Sequence, residues 1–467
     1  MDTKALRQKI LDLAIRGKLV PQDPNDEPAS VLLERIRAEK ERLIAEGKIK
    51  RPKKPKTSSS ESHYQNFTPP FEIHDSWEWV RLDDIAQSNI GLTYKPTDVS
   101  KDGTPVYRSN NIQNRSICKD DIVRVNSEIL SNQFLHEGDL LICARNGSRR
   151  LVGKNAIIQK LDEPTSFGAF MAVCRSAYNS WIHILLNTRY FDRYLDASNS
   201  TAINQVTQKM LLDFTIPFPP IREQNRIISI LSMWFNILDD MDKKSEDLKT
   251  TISNTKSKIL ELAMQGKLVP QNPTDEPAAD MLLRVNPKAR IITDNPHYPQ
   301  LPSNWVYVRL SDIATLLSGR DIEGTSCNSA SEGIPYLIGA SNITDGSFSF
   351  NRWTTQPQVI SKKDDILISC KGTIGELLKN TRGDIHIARQ FMAIRSHRTI
   401  RPNFLQYALL NNLASIRKKA NGIIPGISRP VILDLVIPLP PIIEQDRIVS
   451  RILEFESLLE SIEYVLN

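Results

Sequence analysis

The sequence has few of the features that mark several large classes of protein. It contains five cysteines, far apart in the chain: Cys118, Cys143, Cys174, Cys327 and Cys370. None forms a CxxC pair, which argues against a zinc site or a disulfide framework and favours a reducing compartment. The longest apolar run, IISILSMWFNIL at 227–238, is shorter than the ~18 residues of a membrane span and contains serine and asparagine. The first residues also lack the apolar stretch of a signal peptide. We therefore expect a cytoplasmic protein.

Motifs for catalysis are missing as well. The seven histidines show no ligand spacing such as HExxH, and no Ser–His–Asp or paired-carboxylate constellation is recognisable. In GSRRLVGKN at 147–155, five residues separate the glycines instead of four and Asn follows the lysine, so this is not a phosphate-binding loop. NPHY at 295–298 resembles the base-gripping loop of amino-methyltransferases, but no Gly-rich cofactor loop precedes it. We expect no cofactor, no metal and no catalytic residue in this chain.

What remains is an ordinary composition with a slight excess of positive charge. The chain has 467 residues, of which 40% are hydrophobic and 24% charged, and this length predicts about two to four domains. A net charge of +6 indicates a polyanionic partner only weakly, because many soluble proteins are this basic without binding nucleic acid.

The chain repeats itself. Residues 9–33 and 258–282 are identical at 17 of 25 positions, and both contain the turn GKLVPQxPxDEP. WEWVRLDDIA at 77–86 returns as WVYVRLSDIA at 305–314, and IPFPPIREQNRI at 216–227 returns as IPLPPIIEQDRI at 437–448. Between the last two matches only faint echoes remain, such as GAFMAVCRS at 168–176 and ARQFMAIRS at 388–396. Two lobes therefore share their flanking segments and differ inside.

A long helix should follow each PPxxEQ segment, because proline is tolerated in the first helical turn. After the first segment a heptad seam continues to Gly266, with Ser245 and Thr255 as polar gaps, and predicts a coiled-coil helix of roughly 65–70 Å. The apolar seam positions are Ile227, Leu231, Trp234, Leu238, Met241, Leu248, Ile252, Ile259 and Leu262.

The second long helix breaks off at Asn467, and its remainder matches the N-terminus: Leu6, Ile10 and Leu13 align with Thr255, Ile259 and Leu262. We expect the two ends of the sequence to rebuild one helix, so that the two-fold repeat closes on itself. The alternative is an unrelated N-terminal helix.

Inside the lobes, at about 70–215 and 296–436, short β-like runs alternate with turn signals, which indicates a mixed α/β fold. SWIHILLNTRYFDRYLD at 180–196 and RPNFLQYALLNNLASIRKKA at 401–420 are typical of amphipathic helices. The first lobe is preceded by a predicted helix at 28–48 and a basic, Pro- and Ser-rich stretch at 48–56. That stretch is either a plain linker or a tether to the DNA backbone.

Polar, loop-like stretches of both lobes contain side chains of the types that read base edges. Arg pairs with guanine and Asn or Gln with adenine, each through two hydrogen bonds. For any single residue, a solvated surface position is the competing explanation. The candidates are Arg108, Asn110, Asn111, Arg145, Asn146, Arg149, Arg150, Lys154, Asn204, Gln205 and Gln208 in the first lobe, and Ser341, Asn342, Lys371, Arg389, Gln390, Arg417, Lys418 and Lys419 in the second.

This arrangement resembles the specificity subunit of Type I restriction–modification systems. The resemblance covers the whole chain and rests on the PLPPIIEQDRI and KLVPQ elements and on the paired, dissimilar lobes. It implies two target-recognition domains, each reading one half of a bipartite sequence in double-stranded DNA, and an antiparallel coiled coil that sets the spacing. It also implies two modification subunits, which bind S-adenosylmethionine and methylate adenine, and restriction (translocase–nuclease) subunits that join them.

The expected fold is therefore α+β, with two mixed α/β target-recognition domains separated by a pair of long antiparallel coiled-coil helices in a circular, pseudo-two-fold arrangement. The expected segments are an N-terminal helix completing the C-terminal one (1–20), a helix and basic linker (21–69), the first target-recognition domain (70–215), the central helix (216–270), a linker (271–295), the second target-recognition domain (296–436) and the C-terminal helix (437–467).

Two other functions stay open at this point. One is a self-contained methyltransferase or nuclease whose motifs have diverged, which cofactor binding by the isolated chain would reveal. The other is a scaffold that bridges protein partners without DNA, which a sequence-specific gel shift of the assembled complex would exclude.

Overall fold

The computed structural model describes residues 2–47, 67–198, 204–293, 298–344, 346–420 and 426–466. The chain divides into two compact units, unit 1 (1–243) and unit 2 (244–467). The basic stretch at 48–56 lies outside the described residues, so its two interpretations stay as they were. No helix in the described ranges combines the length and the apolar character needed to cross a membrane.

Unit 1 mixes helices with short strands, as the sequence predicts. Its helices are α1 (Thr3–Ile15), α2 (Ala29–Ala45), α3 (Leu82–Ile85), α4 (Asn179–Leu186), α5 (Arg189–Ser198), α6 (Gln208–Asp213) and the first part of α7 (Ile221–Met264). Its strands are β1 (Glu78–Arg81), β2 (Gln87–Ile90), β3 (Val99–Tyr107), β4 (Ile112–Gln113), β5 (Ser116–Ile117), β6 (Val123–Val125), β7 (Leu140–Cys143), β8 (Asn155–Ile157), β9 (Ser166–Phe167), β10 (Met171–Arg175) and β11 (Thr215–Phe218).

An antiparallel sheet in the order β2-β10-β7-β8 forms the centre of unit 1. Every residue of β7 is buried because the sheet is covered on both faces: Leu140 and Ile142 pack in the cluster with α1, α4 and α7, while Leu141 and Cys143 pack against Phe167. A second sheet, β6-β3-β9, and the hairpin β4-β5 complete the lobe.

Unit 2 repeats this plan with more strands. Its helices after α7 are α8 (Ala278–Val285), α9 (Leu310–Ile313), α10 (Pro402–Asn411), α11 (Leu413–Lys419), α12 (Arg429–Leu433) and α13 (Ile442–Leu466). Its strands are β12 (Ile291–Ile292), β13 (Val306–Arg309), β14 (Ala314–Ser318), β15 (Cys327–Asn328), β16 (Ile334–Leu337), β17 (Ile343–Thr344), β18 (Ser347–Phe348), β19 (Trp353–Thr354), β20 (Ile360–Ser361), β21 (Ile366–Ser369), β22 (Leu377–Lys379), β23 (Ile385–Ile387), β24 (Phe391–Ser396) and β25 (Val436–Leu439).

The central sheet of unit 2 has the order β14-β24-β21-β22 and matches that of unit 1 strand for strand. A five-stranded sheet, β15-β19-β16-β23-β20, and the hairpin β17-β18 stand where unit 1 has its smaller sheet and hairpin. The sequence, whose lobes share only faint internal echoes, did not predict this topology. The matching strand orders confirm that both lobes are variants of one α/β fold.

A pair of antiparallel strands closes each lobe at its base. In unit 1, β1 pairs with β11, with Glu78 opposite Phe218 and Arg81 opposite Thr215. In unit 2, β13 pairs with β25 in the same register. These strands belong to the repeated WxxVRL and IPxP segments, so the shared segments bring the two ends of each variable lobe side by side.

Helix α7 pairs with a different helix in each unit. In unit 1 it runs antiparallel to α1, because Thr3 bonds Asp242 while Arg7 lies between Asp239 and Asp242, at 2.8 and 3.0 Å. In unit 2 it pairs with α13, and an ion pair joins Lys256 to Glu463 at 3.0 Å. Both antiparallel pairings agree with the predicted coiled coil.

The predicted seam is only partly right. Ile227, Leu231, Leu238, Ile252 and Ile259 are buried. Trp234 and Met241 are each 41% exposed, and Leu248 is exposed as well. In unit 1 burial follows 227, 231 and 238, and in unit 2 it follows 252, 259 and 263, because each stretch packs against a different partner. Leu231, Leu238, Ile252 and Ile259 are nevertheless spaced by multiples of seven, so one of the two predicted heptad positions is packed in both units. The other position is exposed from Trp234 to Leu248.

Three further segment predictions need correction. The expected linker at 271–295 contains α8 and β12, since Ala278, Met281 and Leu282 are buried in the core of unit 2. The helix predicted at 180–196 is two helices, α4 and α5, and the one predicted at 401–420 is likewise α10 and α11. The closure of α13 onto the N-terminal residues stays a prediction.

The repeated turn GKLVPQ fastens the start of the long helix to the lobe. In unit 1, Gln22 Nε2 donates to Oε1 of Glu223 at 2.5 Å, and Trp77 Nε1 donates to Oε2 at 2.9 Å. Arg226, one turn further along α7, forms an ion pair with Asp26 at 2.6 Å. Five side chains from three separate repeated segments thus meet at one point.

Unit 2 contains the same arrangement. Gln271 and Trp305 donate to the two carboxylate oxygens of Glu444 at 2.6 and 3.0 Å, and Arg447 pairs with Asp275 at 2.5 Å. The turn occurs twice in the sequence because each copy holds one long helix at the base of its own lobe, α7 in unit 1 and α13 in unit 2.

The carboxylates at these two points are fully buried, Glu223 being 1% exposed. Burial raises the pKa of Glu223 above its ordinary value of 4.5, and the hydrogen bonds from Trp77 and Gln22 oppose the rise only in part. Burial likewise raises the pKa of Glu444. The protonated carboxyl therefore contributes stability below the ordinary value of 4.5, and this contribution is lost as the pH rises through the folded-state pKa.

Replacing Glu223 with Gln should remove this pH dependence. The unfolding free energy of the wild-type chain minus that of Glu223→Gln should fall as the pH rises from the ordinary carboxyl pKa of 4.5 through the higher folded-state pKa. Urea unfolding across this range measures the difference, and Glu137→Gln, which removes an exposed carboxylate of the same lobe, is the control. A difference that stays flat with pH would contradict the raised pKa.

Candidate nucleic-acid interface

Three of the candidate groups in unit 1 meet at the end of β7. The N–H groups of Ala144 and Arg145 both donate to the carbonyl oxygen of Phe170, at 2.9 and 3.0 Å. Asn146 Nδ2 lies 3.4 Å from Oγ of Ser109, and the Asn146 N–H donates to the carbonyl of Asn204 at 3.4 Å. The loop after β7, the turn after β3 and the segment beginning at 204 therefore form one polar surface.

Arginine side chains surround this surface. Arg145 is exposed, and its guanidinium carbon lies 5.8 Å from the ring centroid of Phe170. Arg108 and Asn110 both contact the carboxylate of Asp121, at 3.1 and 2.8 Å. These ion pairs and hydrogen bonds are exposed, so a phosphate or base edge can replace them at small cost.

Other candidates of unit 1 lie at the margin of this surface. Arg149 pairs with Asp196 at 2.6 Å, while Arg150 beside it is exposed. Gln205 forms an isolated β-bridge with Arg145 and therefore lies next to this surface. Lys154 is half-buried directly before β8.

Two asparagines predicted to read bases serve the fold instead. Asn111 is fully buried, and its amide bonds the backbone of Arg108, Cys118 and Asp120. Asn342 has the same role in unit 2, where Oδ1 accepts from Gly339 and Nδ2 donates to a neighbouring carbonyl. Their side chains stabilise turns and do not reach the surface.

Gln208 is also committed within the fold. Its Nε2 donates to the carbonyl of Ser88 at 2.7 Å, which ties α6 to β2. The equivalent residue of unit 2, Arg429, donates to Oγ of Ser318 at 2.8 Å. This position is a brace between helix and sheet in both units.

Unit 2 presents a corresponding surface at the end of β21. The Cys370 N–H donates to the carbonyl of Gln390 at 2.7 Å, and exposed Lys371 follows. Arg389 forms an ion pair with Asp321 at 2.7 Å. Ser341 is exposed in the turn before β17. The structure thus brings Lys371, Arg389 and Gln390 together.

The basic cluster at the end of α11 adjoins this surface. Arg417 donates to the carbonyl of Gly375 at 3.1 Å, in the loop that follows β21. Lys418 and Lys419 are exposed in the last turn of the helix.

Sequence reasoning missed Phe170. The ring is 63% exposed, although large apolar side chains are usually buried. A signal was present: GAF at 168–170 aligns with ARQ at 388–390, so Phe170 occupies the position of the candidate Gln390.

Buried titratable groups near these surfaces are neutral. Burial lowers the pKa of His183 to about 4, and Nδ1 of its ring lies 2.7 Å from Oδ1 of Asn155. Burial also raises the pKa of the Cys174 and Cys370 thiols to about 12. In the described ranges, His, Cys, Asp and Glu nowhere gather in groups of three or more that could hold a metal ion.

Comparison with known families assigns the chain. The family model described as the Type I restriction modification DNA specificity domain matches residues 74–250 and again residues 302–467. The chain belongs to this family. Each match begins just before the first strand of a lobe and continues into the long helix after it. The chain is therefore a Type I restriction–modification specificity subunit with two target-recognition domains.

Individual relatives agree over nearly the full length. The chain is 28% identical to the Type I restriction enzyme EcoAI specificity subunit of Escherichia coli, over 99% of this chain and 90% of that protein. It is 23% identical to the Type I restriction enzyme MjaVIII specificity subunit of Methanocaldococcus jannaschii, over 83% and 88%. A solved structure of the type I R-M system matches with a TM-score of 0.61 at 20% identity, covering 85% of this chain and 94% of that chain, and supports the fold.

Proposed function

We propose that each unit of this specificity subunit reads one half of a bipartite sequence in double-stranded DNA. One observation carries the proposal. The two surfaces at the ends of β7 and β21 have the same backbone frame but different side chains, Arg145, Asn146 and Phe170 in unit 1 against Lys371 and Gln390 in unit 2. A fixed frame with variable side chains is what two readers of different sequences require.

The chemistry of these side chains suits DNA. Arg145 has the planar donor pair that matches the guanine edge, and Asn146 and Gln390 have the donor–acceptor pair that matches adenine. Exposed Arg150, Lys371, Lys418 and Lys419 supply positive charge for phosphates.

The long helices would dock the partners. On the part of α7 in unit 1, five apolar side chains are exposed: Ile221 at its first residue and, further along, a strip of Met233, Trp234, Ile237 and Met241. Met and aromatic side chains are enriched at protein interfaces, and an exposed apolar strip on a helix favours a protein partner. We assign this strip to a modification subunit. A complete complex would contain two modification subunits and the restriction subunits, with methyl transfer and cleavage on those chains, while this chain sets the spacer and chooses the site.

Arg145→Ala should weaken specific binding by the assembled complex. One bidentate contact is worth about 1–3 kcal/mol, so affinity for the preferred sequence should drop and the preference at one base pair should relax. Arg35→Ala, which removes an exposed arginine on α2, is the matched control.

The target is first obtained by comparing methylated sites in cells with and without the three subunits, and affinity is then measured by gel shift at several salt concentrations. Binding of labelled S-adenosylmethionine by the isolated chain would favour a self-contained methyltransferase. A complex that assembles but shows no sequence-specific, salt-dependent shift would favour a scaffold that does not bind DNA.

A further inference from the structure

The turn before β10 and the turn before β24 are held in the same way. The first residue of each turn donates to the end of a strand in the neighbouring sheet, Gly168 to the carbonyl of Tyr107 at 3.0 Å and Ala388 to that of Leu337 at 2.9 Å. Each turn then closes on itself, since the following strand begins with an N–H that donates back to Gly168 or Ala388.

The last residue of each turn is fixed from the other side. The carbonyl of Phe170 accepts from Ala144, and that of Gln390 accepts from Cys370. The carbonyls of Ala144 and Cys370 in turn accept from the segments that lead to α6 and α12. Phe170 and Gln390 therefore occupy one structurally equivalent position, held by backbone bonds that do not depend on either side chain.

The side chain at this position is exposed in unit 1 and half-buried in unit 2. The ring of Phe170 is exposed beside Arg145. The side-chain amide of Gln390 lies next to Gly339, whose Cβ, if present, would be 2.7 Å from Oε1. Across the described residues the structure gives that amide no hydrogen bond, so its donor and acceptor remain available.

We propose that this position contacts a base in both half-sites, with Phe170 packing on the 5-methyl group of a thymine and Gln390 pairing with the edge of an adenine. The inference rests on the proposed function and adds the chemistry of one base pair in each half-site. An apolar ring has no hydrogen bond to offer, so the thymine methyl is the group on a base edge that it can select. A glutamine amide matches the N6 and N7 atoms of adenine. Both groups are displayed in the major groove.

Reciprocal substitutions test the assignment. The complex carrying Phe170→Gln should change its preferred base at one position of one half-site, by about 5- to 150-fold in relative affinity, and Gln390→Phe should do so in the other half-site. Preferences are measured by selection from a DNA library with the complete complex. Leu130→Gln replaces another exposed apolar residue of the same lobe and should change no preference.

A second measurement isolates the methyl group. Exchanging the assigned thymine for uracil in the preferred duplex removes only that methyl and should cost the wild-type complex about fourfold in affinity. The complex with Phe170→Ala should bind both duplexes equally. Equal binding of both duplexes by the wild-type complex, or equal weakening of all sequences by Phe170→Ala, would overturn the thymine contact and favour a wedge between bases. A wild-type complex without any bipartite preference would instead overturn the proposed function, and this inference with it.

Discussion

A chain in which residues 310–435 replace residues 82–214 is expected to recognise the same half-site twice. Both segments lie between the paired strands that close each lobe, and those strands have identical register in the two units. Leu82 and Leu310, the first residues of the segments, donate to the carbonyls of Phe214 and Leu435, the last ones, at 3.0 and 2.8 Å. The exchange therefore keeps the strand pairs β1–β11 and β13–β25. It also leaves in place the contacts that Glu223 and Glu444 each make with a tryptophan and a glutamine.

The expected result is a target whose two halves carry one sequence, that of the second lobe, while the half-site of the first lobe disappears. The reciprocal chain, with residues 82–214 in place of 310–435, should double the other half-site and is the matched control. Sequencing of methylated sites measures both. A new half-site found in neither unit of the wild-type target would mean that the lobes do not read independently.

Lengthening the long helices by seven residues is expected to lengthen the preferred spacer by on the order of three base pairs. Seven residues add roughly 10 Å of helix and keep the packed face of α7 in phase, and duplex DNA rises about 3.4 Å per base pair. The insertion is placed after Ser245, between the buried stretches ending at Leu238 and beginning at Ile252. A seven-residue C-terminal extension keeps the second helix in proportion.

The control is an insertion of four residues at the same point, which rotates the two halves of α7 relative to each other and should impair methylation at every spacer length. Methylation across a library of spacers gives the optimum for each variant, and both half-site sequences should stay unchanged. An unaltered optimum in a well-assembled seven-residue variant would show that the helices dock partners without measuring DNA.

Sequence reasoning succeeded where the signal was local or repeated. The turn at Gly266 ends α7 as predicted, because glycine adopts φ +68° there without strain and lets Lys267 bond back to Leu262. It failed for part of the seam, since Trp234 and Met241 have the right spacing but are each 41% exposed. The spacing of apolar residues in one helix does not show how far the helix packed against it extends.

The candidate surfaces show the same limit. Asn111 and Asn342 were chosen for their chemistry, but their amides satisfy turns, and only the tertiary hydrogen bonds reveal this. Phe170 was not selected because the candidates were chosen for side chains that form hydrogen bonds with base edges. Its alignment with Gln390 was nevertheless visible in the sequence. The frame itself depends on bonds between strands far apart in the chain, for which the sequence provides no pattern.

The fastening of each lobe has a consequence for the order in which the chain is made. Glu223, the hydrogen-bond partner of the Trp77 indole, is 146 residues later in the chain. At translation rates of 5–20 residues per second, Glu223 is synthesised roughly 7–30 s after Trp77. Every contact that closes unit 1 is nevertheless complete by residue 243, before any residue of unit 2 has been synthesised. Unit 1 can thus finish folding during translation. Its repeated segments pair with one another before the nearly identical segments of unit 2 have been synthesised, which prevents mispairing between the two sets.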